Sequence, residues 1–374
     1  MSERGPGAVD PPRGEPPAAG YLLGEERVRA LRGRAAAWRP LLCGAEEDAP
    51  ARAWDPALLG VTRAEIFLTG ACNLRCRYCK SRLRAPAPWP EGALQALIAE
   101  LAGRGTRHVQ WTGGEASLDP ALLPAARSAS ALGLTGSLST NGTAEPGVYE
   151  ALFEAGIGRF YISLDLLEPG AFDLQVGASG LLGRVMDNVR RLCAGPPGGR
   201  PHVTVNSVLD PAALRALLAG GGAELRRLLA WCLETGVDDF KFLPASGSRL
   251  VTCFPDQEHW DAFEALCRGE ATARFPMLRH RLGTLRAGGH GLRGDGPHHC
   301  WFSLDDRAFD SEGAWPCIVR MREGAPPLWR HGAEPGTCAR RLAAFLAEDR
   351  RQDPICAEHC FDLYRDLSRA AARP

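Results

Sequence analysis

Residues 67–82 read FLTGACNLRCRYCKSR, which sets Cys72, Cys76 and Cys79 in C-x3-C-x2-C spacing directly after a short apolar run. A short apolar run that gives way to a Gly-bearing polar segment reads as a buried strand running into a loop, so the three thiols belong to that loop. Such a trio can clamp zinc, form disulfides, pack as small hydrophobes or carry an iron–sulfur cluster. Structural zinc takes four ligands in a closed tetrahedron, and no fourth Cys or His lies nearby in sequence. A cubane held by three thiolates instead leaves one iron open to a ligand from outside the protein. Inert burial fits poorly, because loops run over the surface.

Beyond this stretch, short β-rich runs alternate with helical ones. AEIFLTG, RHVQWTGGE, GSLSTNG, GRFYISLD, HVTVNSVLD and VDDFKFLP read as six strands. Helices are expected near 91–103, 120–132, 147–155 and 180–193, and in AELRRLLAWCLETG. This alternation implies an α/β fold with a parallel sheet. Six units are too few for an eight-stranded barrel and fit an open one, a partial (β/α)6 TIM-like barrel over residues 61–250. Ligands of parallel α/β folds gather where the strands end. The cysteine loop is the first such place, GGEASL the second, STNG the third, and Ser163 with Asp165 the fourth. Four polar or Gly-rich segments therefore converge on one mouth.

The flanks differ. Residues 1–60 read as a disordered and helical extension, Pro- and Gly-rich at first, with Val28, Leu31, Ala35 and Trp38 on one helical face. Residues 251–298 read as a helical connector, and 299–374 as a small cysteine-rich domain with a C-terminal helix. Within it, CWFSLDDRAFDSEGAWPC reads as a hairpin with Cys300 and Cys317 at its outer ends. CAEHC places Cys356 and Cys360 at i and i+4 on one helical face, and Cys338 is a fifth candidate ligand. Four such thiols would also suit structural zinc.

Composition narrows the classes. The 374 residues carry formal net charge zero, which gives no basic surface for nucleic acid or acidic membranes. No signal-peptide pattern opens the chain, and no apolar run reaches bilayer length. Thirteen cysteines, an odd number, without a secretory pattern argue for metal or redox use in a reducing cytoplasm rather than a disulfide framework.

The cysteine loop and the three later loops, in this order, resemble the radical S-adenosylmethionine (SAM) superfamily over about residues 64–244. The resemblance implies a [4Fe–4S] cluster on Cys72, Cys76 and Cys79, with SAM on its open iron. It implies SAM contacts at Tyr78, at Gly113, Gly114 and Glu115 of the GGE motif, at Thr140 and Asn141, and at Ser163. Where many members have Pro after GGE, this chain has Ala116.

The C-x16-C…C-x3-C spacing is similar to the Twitch domain, the short relative of the SPASM extension, whose last pair is usually C-x2-C. It implies one auxiliary iron–sulfur cluster of [4Fe–4S] type, with ligands among Cys300, Cys317, Cys338, Cys356 and Cys360. Such an enzyme cleaves SAM to a 5′-deoxyadenosyl radical that takes hydrogen from substrate, with a flavodoxin- or ferredoxin-type reductant. A substrate could be a peptide or a small molecule. The expectation is natural-product biosynthesis by modification of a ribosomal peptide, through cross-linking or oxidation. The alternatives are radical dehydrogenation, epimerisation or rearrangement of an aminocyclitol, sugar or nucleoside, and, in another class, a non-catalytic zinc scaffold.

Three further residues are candidates for work on substrate. Lys241, near the end of the sixth strand, points to the mouth or pairs with Asp238 or Asp239. Asp165 contacts SAM or substrate, or caps its turn. Cys253 follows the sixth strand closely.

Overall fold

A computed structural model of the chain describes residues 24–42, 55–81, 84, 86–195, 199–245, 257–286, 290–292 and 296–373. Six strands run in parallel: β1 (Arg63–Phe67), β2 (His108–Thr112), β3 (Thr135–Thr140), β4 (Ile157–Ser163), β5 (His202–Leu209) and β6 (Asp239–Pro244). Each pairs with its neighbour in chain order, the topology of a curling βα array. All six expected strands are present, each within a few residues of its sequence signal.

The intervening helices follow the sequence with two exceptions. A helix at Pro169–Val176 precedes the expected one at Leu182–Ala194. It is eight residues long, and Glu168 caps it through the backbone N–H groups of Gly170 and Ala171. The helix of the last expected segment begins as early as Pro211 and runs to Thr235, broken at Ala219–Gly222, where three glycines take positive φ.

Every strand separates two chemistries by alternation. Ala64 and Ile66, Val109 and Trp111, Phe160 and Ile162, Val203 and Val205, and Phe240 and Phe242 are fully buried towards the helices. The other face carries Glu65, Gln110, Ser139, Tyr161, Thr204, Asn206 and Lys241, which line a cavity. A TIM-type barrel normally fills that interior with branched apolar side chains. Here it is polar and open, which makes it a site.

The flanks are not separate lobes. The helix Glu25–Leu42 buries Leu31, Ala35 and Trp38. Its Arg32 and Arg39 donate to the carbonyls of Ala370, Ala371 and Ala372, at the C-terminal end of the last helix, Asp362–Ala372. The cysteine-rich segment forms the expected hairpin, β7 (Asp306–Asp310) and β8 (Gly313–Trp315), followed by β9 (Trp329–Arg330). Strand β7 also pairs in parallel with β1, Arg63 opposite Asp306, so the barrel sheet continues into this segment. Packing therefore joins the segments on either side of the expected boundaries at 60 and at 298. Among the described residues no helix is long and apolar enough to cross a membrane.

Candidate functional site

The cysteine loop is held from three sides. From the second βα loop, the N–H groups of Gly114 and Glu115 donate to the carbonyls of Thr69 (2.6 Å) and Ala71 (2.7 Å). A Cβ at Gly114 would stand 2.2 Å from the Ala71 carbonyl oxygen, and one at Gly113 2.5 Å from that of Thr69. The glycines thus let two backbones touch. That approach is to the cysteine loop, where the resemblance would have the motif approach SAM. On the other flank, Arg75 and Arg77 N–H groups donate to the carbonyls of Val176 and Gln175, at the end of the helix that sequence reasoning missed.

Glu115 is a buried clamp. Its carboxylate accepts from the Ser117 hydroxyl (2.6 Å), the Thr140 hydroxyl (2.6 Å) and the Asn141 N–H (2.6 Å). Burial pushes its pKa up, against the pull of these donors. The side chains of Glu115 and Thr140, two residues that the resemblance sets at SAM, are buried and bonded to each other. They position the third loop, whose Asn141 amide reaches Asn73 (2.9 Å) and the Cys72 sulfur (3.9 Å).

Asp165 acts similarly. It accepts from the Tyr78 hydroxyl (2.9 Å) and the Val208 N–H (2.6 Å), and burial pushes its pKa up to about 6. It ties the cysteine loop to the fourth and fifth strands. Of the expected barrel residues, Tyr78, Cys79, Ser163 and Lys241 line the cavity of about 550 Å³. Cys253 lies outside the described residues.

Cys72 is exposed, and Cys76 and Cys79 are half-buried. Burial pushes the Cys76 thiol up to about 12, helped by nearby Asp165, Cys79 and Cys72. A metal bound there would supply the positive charge that lets the Cys76 thiol ionise. Three free thiols on one pinned loop, one of them facing the cavity, fit a cluster with an open iron.

A second thiol group stands behind the cavity's lining. Cys300, Cys317 and Cys356 are buried and Cys360 is half-buried. Burial raises each, and Cys360 is raised further by the charges of Cys300, Cys356 and Cys317. Ile318, Val319 and Phe361, next to Cys317 and Cys360, line the cavity. Cys338, the fifth candidate, stands apart from these four. It lies on the helix Pro335–Ala347, donates to the Ala333 carbonyl, and feels Arg104, Arg307 and Glu100 rather than the other thiols. Among the described residues every cysteine is free, and no three His, Cys, Asp or Glu side chains already stand as an ion-binding group.

The two thiol groups are mechanically linked. Lys80, beside Cys79, pairs with Glu323 at 2.6 Å, and His359, beside Cys360, lies 3.8 Å from the same carboxylate. Arg84 pairs with Asp310 of the hairpin and stacks on Trp315, 4.3 Å from its centroid. Sequence reasoning missed these ties and most of the polar lining. The lining was signalled by its period of two: Arg63 and Glu65, Arg159, Tyr161 and Ser163, His202, Thr204 and Asn206.

Comparison with known proteins agrees with this geometry. The Radical SAM superfamily profile matches residues 66–211. A GTP 3′,8-cyclase of Microcystis aeruginosa is 35% identical over 245 residues, 62% of this chain and 67% of that protein. The PqqA peptide cyclase of Methylobacterium nodulans is 34% identical over 107 residues, 28% of each chain. This chain thus spans about two thirds of the first relative's length and about a quarter of the second's, and 35% of another GTP 3′,8-cyclase, from Chlorobaculum tepidum. Streptococcus suis SuiB bound to its precursor peptide SuiA superposes with a TM-score of 0.55 at 14% identity, over 80% of this chain and 66% of that one. That likeness is one of fold.

Proposed function

The chain belongs to the radical SAM superfamily, and from that premise we propose that it oxidises its substrate, using the second thiol group as a seat for an electron-accepting cluster. Members are enzymes that use a [4Fe–4S] cluster and SAM. With both bound, the cluster supplies the electron that splits SAM, and the radical so formed takes a hydrogen atom from substrate. The zinc-scaffold alternative falls with that membership.

One observation supports the oxidative reading: Cys317, Cys356 and Cys360 all stand near enough to Cys300 for its charge to raise them, while Cys338 does not. Four thiolates would satisfy all four irons of a cubane and leave none open to substrate, which suits a cluster that takes an electron. In the barrel, Cys72, Cys76 and Cys79 are the proposed ligands. Tyr78 and Ser163 are the proposed SAM contacts at the cavity wall, and Gly113, Gly114, Glu115, Thr140 and Asn141 the frame that sets the loops. Arg75 and Arg77, exposed on the cysteine loop beside exposed Cys72, suit an acidic flavodoxin- or ferredoxin-type reductant.

The polar lining favours a small hydrophilic substrate such as an aminocyclitol, sugar or nucleoside. A residue of a ribosomal peptide is the second reading, supported by the likeness to a peptide cyclase and to a fold solved with a precursor peptide.

Ferricyanide tests the ligand count. A cubane with an open iron loses it on oxidation and gives a three-iron EPR signal, whereas a fully thiolate-bound one resists. One such signal per chain is expected, absent when Cys72, Cys76 and Cys79 are all alanine. A signal that persists in that variant would refute the closed second site.

A further inference from the structure

Among the cavity's cations, most are already matched. Arg63 pairs with Asp306 at 3.1 Å, Lys80 with Glu323 at 2.6 Å, Arg27 with Asp305 at 2.6 Å, and Arg281 with Asp362. Lys241 and Arg322 are different. The Lys241 amine lies 4.7 Å from the Tyr161 ring centroid, and no carboxylate among the described residues stands at ion-pair distance from it. Arg322 spends one terminal nitrogen on the Thr112 hydroxyl at 3.0 Å, while its buried Nε has no acceptor. Both, together with Arg63, bear on the Glu65 carboxylate, which accepts from the Gln110 amide at 3.3 Å. Beside Lys241 in the sheet register sits Asn206, whose side-chain oxygen is buried without a donor.

Two cations with no ion-paired carboxylate among the described residues, an orphaned N–H on one and an orphaned oxygen beside the other, form an incomplete set. Buried polar groups are normally satisfied, so these atoms mark what the ligand must bring.

We infer that Lys241 and Arg322 form an oxyanion subsite, and that the substrate presents a carboxylate or phosphate to them and an N–H or O–H donor to Asn206. The inference rests on the reading above only in placing the substrate in this cavity. Burial and the nearby Arg281 and Arg63 hold the amine down to about 8, so Lys241 is partly neutral near that pH until an anion arrives. An anion then restores its charge and completes the Arg322 set. Lys241 is one of two lysines in a chain whose other basic residues are arginine. A compact ammonium suits a point contact, with the planar Arg322 beside it for a forked one.

The rival occupant is the carboxylate of SAM itself. Ligand-observed NMR separates them, using the 31P resonance of inorganic phosphate and the methyl resonance of acetate with the iron-loaded, oxidised protein, with and without saturating SAM. Saturable binding of at least one probe is expected with SAM present, about tenfold weaker in Lys241→Met and in Arg322→Met, and kept in Lys241→Arg. The tighter probe tells phosphate from carboxylate. Circular dichroism and the thermal midpoint establish that each variant folds. Loss of probe binding on adding SAM, no binding of either probe, or unaltered binding in both methionine variants would overturn the inference. Reductive SAM cleavage by the wild type without probe reports on the proposed function separately, so the two can fail independently.

Discussion

The replacement Gly114→Ala puts one methyl group where the structure has no room. Its Cβ would lie 2.2 Å from the Ala71 carbonyl oxygen and 2.7 Å from that of Gly70, both backbone atoms. The second βα loop and the cysteine loop must then part by about 1 Å, a strain of the kind that costs about 1–3 kcal/mol. Parting them lengthens the bonds from Gly114 to Thr69 and from Glu115 to Ala71, worth about 0.5–1.5 kcal/mol each. The expected loss is about 2–6 kcal/mol, felt one residue from Cys72. Denaturant unfolding should show a lower midpoint, and iron analysis of anaerobically loaded protein should show the first cluster depleted and the second retained. Gly103→Ala is the control: its Cβ meets nothing within 4 Å and should leave both readings unharmed. A Gly114→Ala protein with wild-type midpoint and both clusters would refute the claim that backbone contact between these loops sets the cysteine geometry.

Other expectations concern the second thiol group and the barrel floor. Cys338→Ala should leave iron content unchanged, while alanine at Cys300, Cys317, Cys356 or Cys360 should deplete the second cluster, as measured by iron per chain. Arg320 donates to the Cys356 sulfur at 3.8 Å and is held by Asp353. A positive charge there favours the reduced cluster, so Arg320→Met should lower that site's midpoint by tens of mV, roughly, in EPR-monitored titration, with the first site unmoved. His108 bonds the hydroxyls of Thr135 and Ser137 at 2.8 Å each, and burial, with nearby Arg63 and Arg159, depresses its pKa from 6.5 to about 3. The unfolded chain therefore binds the extra proton, and the stability held above pH 6.5 is lost progressively as pH falls towards 3. His108→Gln should flatten that part of the stability profile in urea unfolding across pH.

Much of the fold was legible because strand and helix periods are local. Six polar-ended apolar runs and the CWFSLDDRAFDSEGAWPC hairpin announce themselves within a few residues. The helix at Pro169–Val176 did not, because eight residues behind a proline carry little period. The site was legible as a set of loops, since each follows a strand. It was not legible as a division of labour. Sequence alone cannot say that Thr140 bonds to Glu115, nor that Cys338 faces Arg104 and Arg307 while Cys356 stands near Cys300. Contacts between distant segments carry that information. So do the Arg39 bonds to the last helix, which make an apparent N-terminal extension part of the C-terminal segment's packing.

The most direct test is the fate of SAM. Iron-loaded protein reduced with dithionite should convert SAM to methionine and 5′-deoxyadenosine. Replacing Cys72, Cys76 and Cys79 together by alanine should abolish that while about four irons per chain stay at the second site. SAM recovered intact from fully loaded, reduced wild-type protein would contradict the account.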